Sequence, residues 1–371
     1  MLNQVGYEID FLPVGNGDRS GDAVAIRYGL PGNYKVLVYD GGTKESGKEL
    51  VEHIKRHYHT KRVDYLVNSH PDADHASGLS VVMEELEVGE LWMHRPWNYS
   101  SAILGYFKDG RITDNSLAEH LKEKMAAAYA LEQIAEELDI PVREPFRGSA
   151  IGDFFVLSPE KDWYVHDLIA AFEKSPEQKE AEDYAALSQA GRLLKSMGEA
   201  VKQGISWIAE RWDKECLRED VNTSAENESS VVLWGRLDGG SILLTGDAGV
   251  RALVAAADVA AANNISLPNE LKVIQVPHHG SRHNVSTTVL NRIIGPPKAF
   301  DNGKVTMTAM ISAGKDSTTH PRKMVVNAFI RRGAEVVCTQ GIIKCHRHNM
   351  PDRGWDVATP LTFSNKVESW N

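Results

Sequence analysis

Cysteine is scarce. The 371-residue chain has three, Cys216, Cys338 and Cys345, too few for a disulfide framework and in keeping with a reducing compartment. No apolar run approaches the ~18 residues of a membrane span. The opening Met1-Leu2-Asn3-Gln4 has neither the basic n-region nor the apolar h-region of a secretion signal. The expected location is the cytoplasm, with no membrane partner. Positive charge is also short, with 41 Lys and Arg against 51 Asp and Glu, a net charge of −10. That argues against a surface coated for duplex nucleic acid, whose backbone demands a basic face. It leaves room for a short strand, a nucleotide or another phosphoester in a pocket where metal ions carry the positive charge. Internal repeats and low-complexity tracts are missing. The length suits one large domain, or a core domain with a substantial insertion.

What the chain does have is Ser69-His70-Pro71-Asp72-Ala73-Asp74-His75, directly after the apolar run Tyr65-Leu66-Val67. Four potential ligands fall within six residues, where a strand gives way to a loop. Imidazoles and carboxylates that close together call for a cation among them, so the pattern points to a divalent metal site. Asp72 or Asp74 as a helix N-cap would explain one carboxylate, not the whole set.

Other candidates also sit at strand ends. Strands are expected over 7–13, 23–28 and 35–39, the last running into Asp40-Gly41-Gly42. Asp40 is read either as support for a ligand or as a turn-forming residue. A helix over 45–58 and a strand over 63–67 deliver the cluster. A short strand over 90–93 ends at His94, read either as a structural histidine or as a further candidate ligand. Residues 117–138 and 181–218 have helical spacing, with 154–157 and 163–164 between them read as a strand returning to the core. The segment 100–225 is therefore expected to be a largely helical insertion, serving as a lid, a substrate wall or a dimer face. Strands over 229–234 and 241–244 end in Thr245-Gly246-Asp247, and a single Asp can bridge two metals. A strand over 272–276 ends in Pro277-His278-His279-Gly280-Ser281. Adjacent histidines point in different directions, so one is expected to bind metal while the other supports it or acts in catalysis. A strand over 306–311 leads to Ser312-Ala313-Gly314-Lys315 and on through Thr318 to His320-Pro321. There, hydroxyls and a lysine before a helix start suit a phosphate oxygen. A last core strand is expected over 335–339, and Cys345-His346-Arg347-His348 is expected to be a solvated chain end, its spacing fitting no zinc finger.

Taken in order, these pieces resemble the metallo-β-lactamase superfamily. The run His70-Pro71-Asp72-Ala73-Asp74-His75 is similar to its His-x-His-x-Asp-His signature, and Asp40-Gly41-Gly42, Gly246-Asp247 and His278-His279-Gly280-Ser281 fall where its accompanying motifs lie. Within it, the likeness is nearest to the hydrolase domain of competence DNA-uptake channel proteins of the ComEC type. That domain carries counterparts of Gly15-Asn16-Gly17-Asp18, Thr245-Gly246-Asp247, His278 to Ser281 and Ser312 to Pro321. Asp72 stands where the signature has its second histidine, giving an oxygen-richer set that moves the expected metal from zinc toward manganese. His94 is the one candidate for the superfamily's middle histidine.

The resemblance implies an α/β fold, an αββα sandwich with two divalent metal ions, Zn or Mn, at one edge between the sheets. It assigns His70, Asp72 and one of His278 and His279 to the first metal, Asp74 and His75 to the second, and Asp247 between them. Asp74 would orient or deprotonate the attacking water. His320 would protonate the leaving group or contact phosphate, with Ser281, Lys315 and Thr318 nearby. The function expected is a metal-dependent phosphodiesterase or nuclease acting on single-stranded nucleic acid or a nucleotide. The alternatives are a hydrolase of another ester, thioester or lactam, or a metal-binding interaction subunit. In the last, the helical insertion docks a protein partner or a second copy.

Overall fold

The computed structural model describes residues 4–17, 21–177, 206–301 and 303–370. The chain opens with strands β1 (Gly6–Phe11), β2 (Ala23–Leu30), β3 (Asn33–Gly41), β4 (Arg62–Val67), β5 (Glu87–Trp92) and β6 (Val142–Arg143). It continues with β7 (Ala150–Ile151), β8 (Phe154–Ser158), β9 (Trp207–Ala209), β10 (Val232–Leu237) and β11 (Gly240–Leu244). The last are β12 (Leu271–Gln275), β13 (Met307–Ile311), β14 (Ala334–Cys338), β15 (Lys344–His348) and β16 (Lys366–Glu368). Two seven-stranded sheets result, ordered β15-β1-β2-β3-β4-β5-β6 and β14-β13-β12-β11-β10-β8-β7, with β9 and β16 as a separate pair.

Both sheets start antiparallel and finish parallel. In the first, β1, β2 and β3 alternate in direction and β3 to β6 run together. In the second, β8, β10 and β11 alternate and β11 to β14 run together. A parallel step needs a crossover, and helices supply it. Lys44–His53 and Ala73–Glu85 cross over the first sheet; Val250–Ala262, Thr287–Ile294 and Lys323–Arg331 cross over the second.

Period-two alternation assigns each side chain to a layer. Tyr7, Ile9 and Phe11 of β1 join Leu37 and Tyr39 of β3 in a core shared with Leu233, Ile242 and Leu244 of the second sheet. The alternate positions Val36 and Val38 lie instead with Leu50, Leu79 and Val82 beneath the helices. Across the molecule, Leu243 and Ile274 pack under Leu253, Val289 and Phe329. Each buried side chain of this size contributes about 2 kcal/mol relative to exposure. The layers are helix, sheet, sheet, helix, the sandwich the resemblance implied.

Several expectations change. Within the segment 100–225, Leu131 and Ala135 of the helix Ala126–Glu137 belong to the core beneath the first sheet, β6 joins that sheet and β7 the second, while the strand expected over 154–157 to return to the core is β8 of the second sheet. The helical pattern over 117–138 breaks at Met125, which leaves helical geometry at φ −114°, ψ 40° and separates Asp114–Lys124 from Ala126–Glu137. Periodicity marks helix-forming sequence, but packing of Leu117, Leu121 and Met125 into the core fixes the axes. Residues 163–164 are helical rather than extended. Of the helix expected over 181–218, residues 181–205 lie outside the described residues, and Trp207–Ala209 is a strand paired with β16. The segment 345–348 is no solvated end. It is most of β15, paired antiparallel with β1 from Tyr7↔His348 to Phe11↔Lys344, and so covers a sheet edge that would otherwise present unpaired amides.

Candidate metal centre

The donors collect beyond the C-terminal ends of β3, β4, β11, β12 and β13, where open α/β sheets place ligands. After β4 the chain is tied down twice. Asn68 donates its amide to Trp92 O at 2.9 Å, and the Ser69 amide donates to Asp40 Oδ1 at 2.7 Å. The helix Ala73–Glu85 then starts at Asp72, whose side chain makes no capping bond. Capping therefore does not account for that carboxylate. Gly21 passes so near this helix start that a Cβ there would lie 1.5 Å from Asp74 O. Only glycine fits the approach.

Asp247 is the hub. His75 Nε2 lies 3.5 Å and His278 Nε2 3.6 Å from its Oδ2, His70 Nε2 3.8 Å from Oδ2, and His279 Nε2 3.8 Å from Oδ1. In each ring the other nitrogen is engaged. Ser69 Oγ meets His70 Nδ1 at 2.9 Å, and Asp40 Oδ2 meets His75 Nδ1 at 2.9 Å. Asn284 Oδ1 meets His278 Nδ1 at 2.9 Å, and His279 Nδ1 donates to Ser312 O at 3.0 Å. A histidine held through Nδ1 presents Nε2 in a fixed direction, as metal-ligating imidazoles are held. His278 and His279 are both left-handed, at φ 47° and 56°, and Asp40 is left-handed at φ 59°. Non-glycine residues reach that region at a cost of about 1–2 kcal/mol each. Such strain persists where surrounding structure enforces it, commonly at functional sites.

The electrostatics are those of a crowded, dry site. Burial alone would raise the Asp247 carboxyl, but the imidazoles of His278, His75 and His279 outweigh it and hold it well below the usual range. Burial would lower His75, yet Asp247 and Asp40 raise it well above an ordinary histidine. His278 and His279 are lowered, chiefly by burial. Asp22 is pushed up to about 7 by burial, with Asp247 and Asp40 adding to the effect.

The residues present fit divalent cations. His70 Nε2, His75 Nε2, Asp247 Oδ1 and Asp22 Oδ2 are buried with no hydrogen-bond partner. Orphaned polar atoms carry a desolvation penalty of about 1–3 kcal/mol each unless something else satisfies them. The donor atoms of His75, Asp247 and His279 lie within 4.8 Å of one another, as do those of Asp40, His70 and His75. In the second group both Asp40 oxygens already meet Ser69, and Oδ2 also meets His75 Nδ1, so Asp40 orients the loop and its imidazole.

The other sequence candidates fall as follows. Asp72 is partly exposed, 3.6 Å from His70 Nε2 and paired with Lys174; His70 and Lys174 outweigh burial and lower its carboxyl far below the usual value. Asp74 is partly buried in the first helical turn, within electrostatic reach of His279 but in neither donor group. His320 stacks on His278 with ring centres 5.9 Å apart. Burial, with His278 and His279 nearby, brings it down to about 3, so it enters as a neutral imidazole. Ser281 Oγ accepts the His283 amide and shapes the loop. Thr318 is exposed, and Lys315 packs along Gly341 in the wall of a separate cavity of about 1400 Å³. Asp18 lies outside the described residues.

His94 lies among aromatic rings, 4.7 Å from Phe146 and 4.4 Å from Tyr164 between centres, with both nitrogens unpartnered. It belongs to neither donor group. Burial lowers it to about 3. The unfolded chain therefore takes up a proton below about 6.5 that the folded one refuses, and His94 costs stability as pH falls. At pH 5 the cost is about 2 kcal/mol. Urea unfolding of His94→Leu should lose that acid sensitivity relative to the native chain; parallel pH profiles would refute the assignment.

Residues 16–156 match the family model of the metallo-beta-lactamase superfamily. The match spans β2 to β7 and most of β8, and includes Asp22, Asp40 and the His70 to His75 run; Asp247, His278 and His279 lie beyond it. It runs through 100–156, the first part of the segment expected to be an insertion. No curated protein matches the chain. The helix-sheet-sheet-helix sandwich explains why residues as distant as Asp22 and His279 share one site: each sheet contributes loops from the same edge. The superfamily match together with the His and Asp groups makes a metal-dependent hydrolase the functional class suggested. Among the described residues, no helix is long and apolar enough to cross a membrane.

Sequence reasoning missed Asp22, Ser69, Lys174 and Asn284. Asp22 had a signal, a second Gly-Asp four residues after the first, just before an apolar strand. Asn284 had none: it reaches His278 through Oδ1 while its Nδ2 donates to Asp247 O at 2.8 Å.

Proposed function

We propose that the protein is a metal-dependent phosphodiesterase acting on single-stranded nucleic acid or a nucleotide. The observation that carries it is the convergence of four imidazole Nε2 atoms on the Asp247 carboxylate, with unpartnered donors around it. In this reading His70, Asp72, His75, Asp247, His278 and His279 hold one or two divalent ions, Mn or Zn, with Asp22 as a further ligand. Such ions polarise phosphoryl or carbonyl oxygens and activate water near neutral pH. Asp40, Ser69, Asn284 and the Ser312 carbonyl keep the imidazoles oriented. Asp74, at the rim, is the acceptor proposed for the water's proton. His320, neutral at pH 7, donates a hydrogen bond to the phosphoryl or leaving oxygen rather than acting as an imidazolium acid. The likeness of residues 312–321 to the ComEC-type segment supports a phosphoester over other esters.

The test is hydrolysis of bis(p-nitrophenyl) phosphate and of labelled single-stranded DNA with Mn²⁺, Zn²⁺ or EDTA, beside a carboxylic ester, a thioester and a β-lactam. Phosphodiester cleavage that EDTA abolishes supports the reading. Cleavage confined to the ester, thioester or lactam overturns the substrate class and keeps the hydrolase. His320→Ala should lower kcat by about 10²-fold, the usual worth of one transition-state donor. Unchanged turnover and affinity would remove His320 from the site. Metal shown to be bound, with every substrate untouched, would favour a different ester substrate or the docking of a protein partner or second copy on the helical segment.

A further inference from the structure

We infer that Lys174 is a built-in cation for one half of the donor cluster, which a divalent ion must displace to use Asp72. This rests on the metal-dependent reading above. The Lys174 ammonium is paired with Asp72 Oδ1, while Asp72 Oδ2 lies 3.6 Å from His70 Nε2. The lysine is positioned through its backbone. Its amide donates to Glu226 Oε1 at 3.2 Å, and its carbonyl meets His120 Nε2 at 2.9 Å. Glu226 is itself buried, and its Oε2 has no hydrogen-bond partner. Three chain segments far apart in sequence therefore place one ammonium at the mouth of the cluster.

A protonated amine has three donors and no lone pair. It neutralises Asp72 but cannot serve as a ligand, and it repels an incoming cation. The two halves of the cluster thus differ. His75, Asp247 and His279 form a ready set of donors. The half containing His70 and Asp72 holds a monovalent charge that must leave before Asp72 can coordinate. The half with Asp72 fills second and more weakly, and Lys174 sets the difference.

The test is Mn²⁺ binding to the full chain by titration calorimetry, with metal content after dialysis. The native chain should bind one equivalent tightly and a second more weakly. Lys174→Met, which keeps length but not charge, should tighten the second by up to about fivefold, the worth of a partly exposed ion pair. Lys174→Arg should bind as the native chain does, and Lys174→Met should have no effect in an Asp72→Asn background. Lys174→Gln repeats the test should the Met variant fold poorly by circular dichroism. Equal isotherms for the native chain and both neutral variants would overturn this inference alone. No saturable Mn²⁺ uptake by the native chain, with Asp247→Asn indistinguishable from it, would overturn the metal-dependent reading and this inference with it.

Discussion

Asp247→Ala is expected to lower metal-dependent turnover by about 10³-fold or more, to the background of an EDTA-treated sample. The reason is geometric. Four imidazole nitrogens lie 3.5–3.8 Å from this carboxylate, so its removal takes a shared ligand and the neutralising charge from all of them. His75 owes its raised pKa first to Asp247 and then to Asp40. Without Asp247 the imidazoles become more readily neutral, so the fold need not tolerate several stranded positive charges. Retained structure is checked by circular dichroism, metal content by elemental analysis, and Asp247→Asn keeps the side-chain volume. Turnover within about tenfold of native, with metal still bound, would show that the cluster is not the catalytic centre.

Arg353→Met is expected to cost about 3–5 kcal/mol of stability, the usual result of stranding buried charge. Glu8 and Asp10 are fully buried on β1, on the face opposite Tyr7, Ile9 and Phe11. Arg353 binds both: Nη1 to Asp10 Oδ1 at 2.9 Å, and Nη2 to Asp10 Oδ2 at 2.9 Å and Glu8 Oε2 at 2.7 Å. Arg27 meets Glu8 at 2.5 Å, and His53 and Tyr58 meet Asp10 at 3.0 and 2.7 Å. Burial would raise the Asp10 carboxyl, but His53 and Arg353 hold it far below its usual value. Removing one guanidinium leaves two buried carboxylates sharing Arg27 and His53. The variant can escape by protonating a carboxylate, so its deficit should be largest near pH 7.5 and shrink toward pH 5. Urea unfolding at both pH values measures this. A deficit under about 1 kcal/mol at pH 7.5 would mean that the C-terminal segment bearing Arg353 contributes little to holding the first sheet.

Much of the centre was legible in the sequence because its donors are clustered. His70 to His75, Gly246-Asp247 and His278-His279 each follow an apolar run, and a strand end is where a loop can present ligands. Asp40 had two open readings; in the structure its carboxylate meets Ser69 Oγ and His75 Nδ1. Lys174 was invisible because its partner Asp72 is 102 residues away. Asp22 carried a local sign, but its burial among His75, Asp40 and Asp247 depends on where β2 lies.

By itself the sequence determined most of the alternation of strand and helix and the donor-rich loops. These follow from local periodicity and from ligand chemistry within a few residues. Only the tertiary structure decided that 345–348 is an edge strand against β1, that 142–158 supplies strands to both sheets, and that Asp247 is the common partner of four histidines. Strand pairing, burial and charge pairing join residues far apart in the chain. The free energy of such a contact depends on what the rest of the fold brings beside it, which no local window contains.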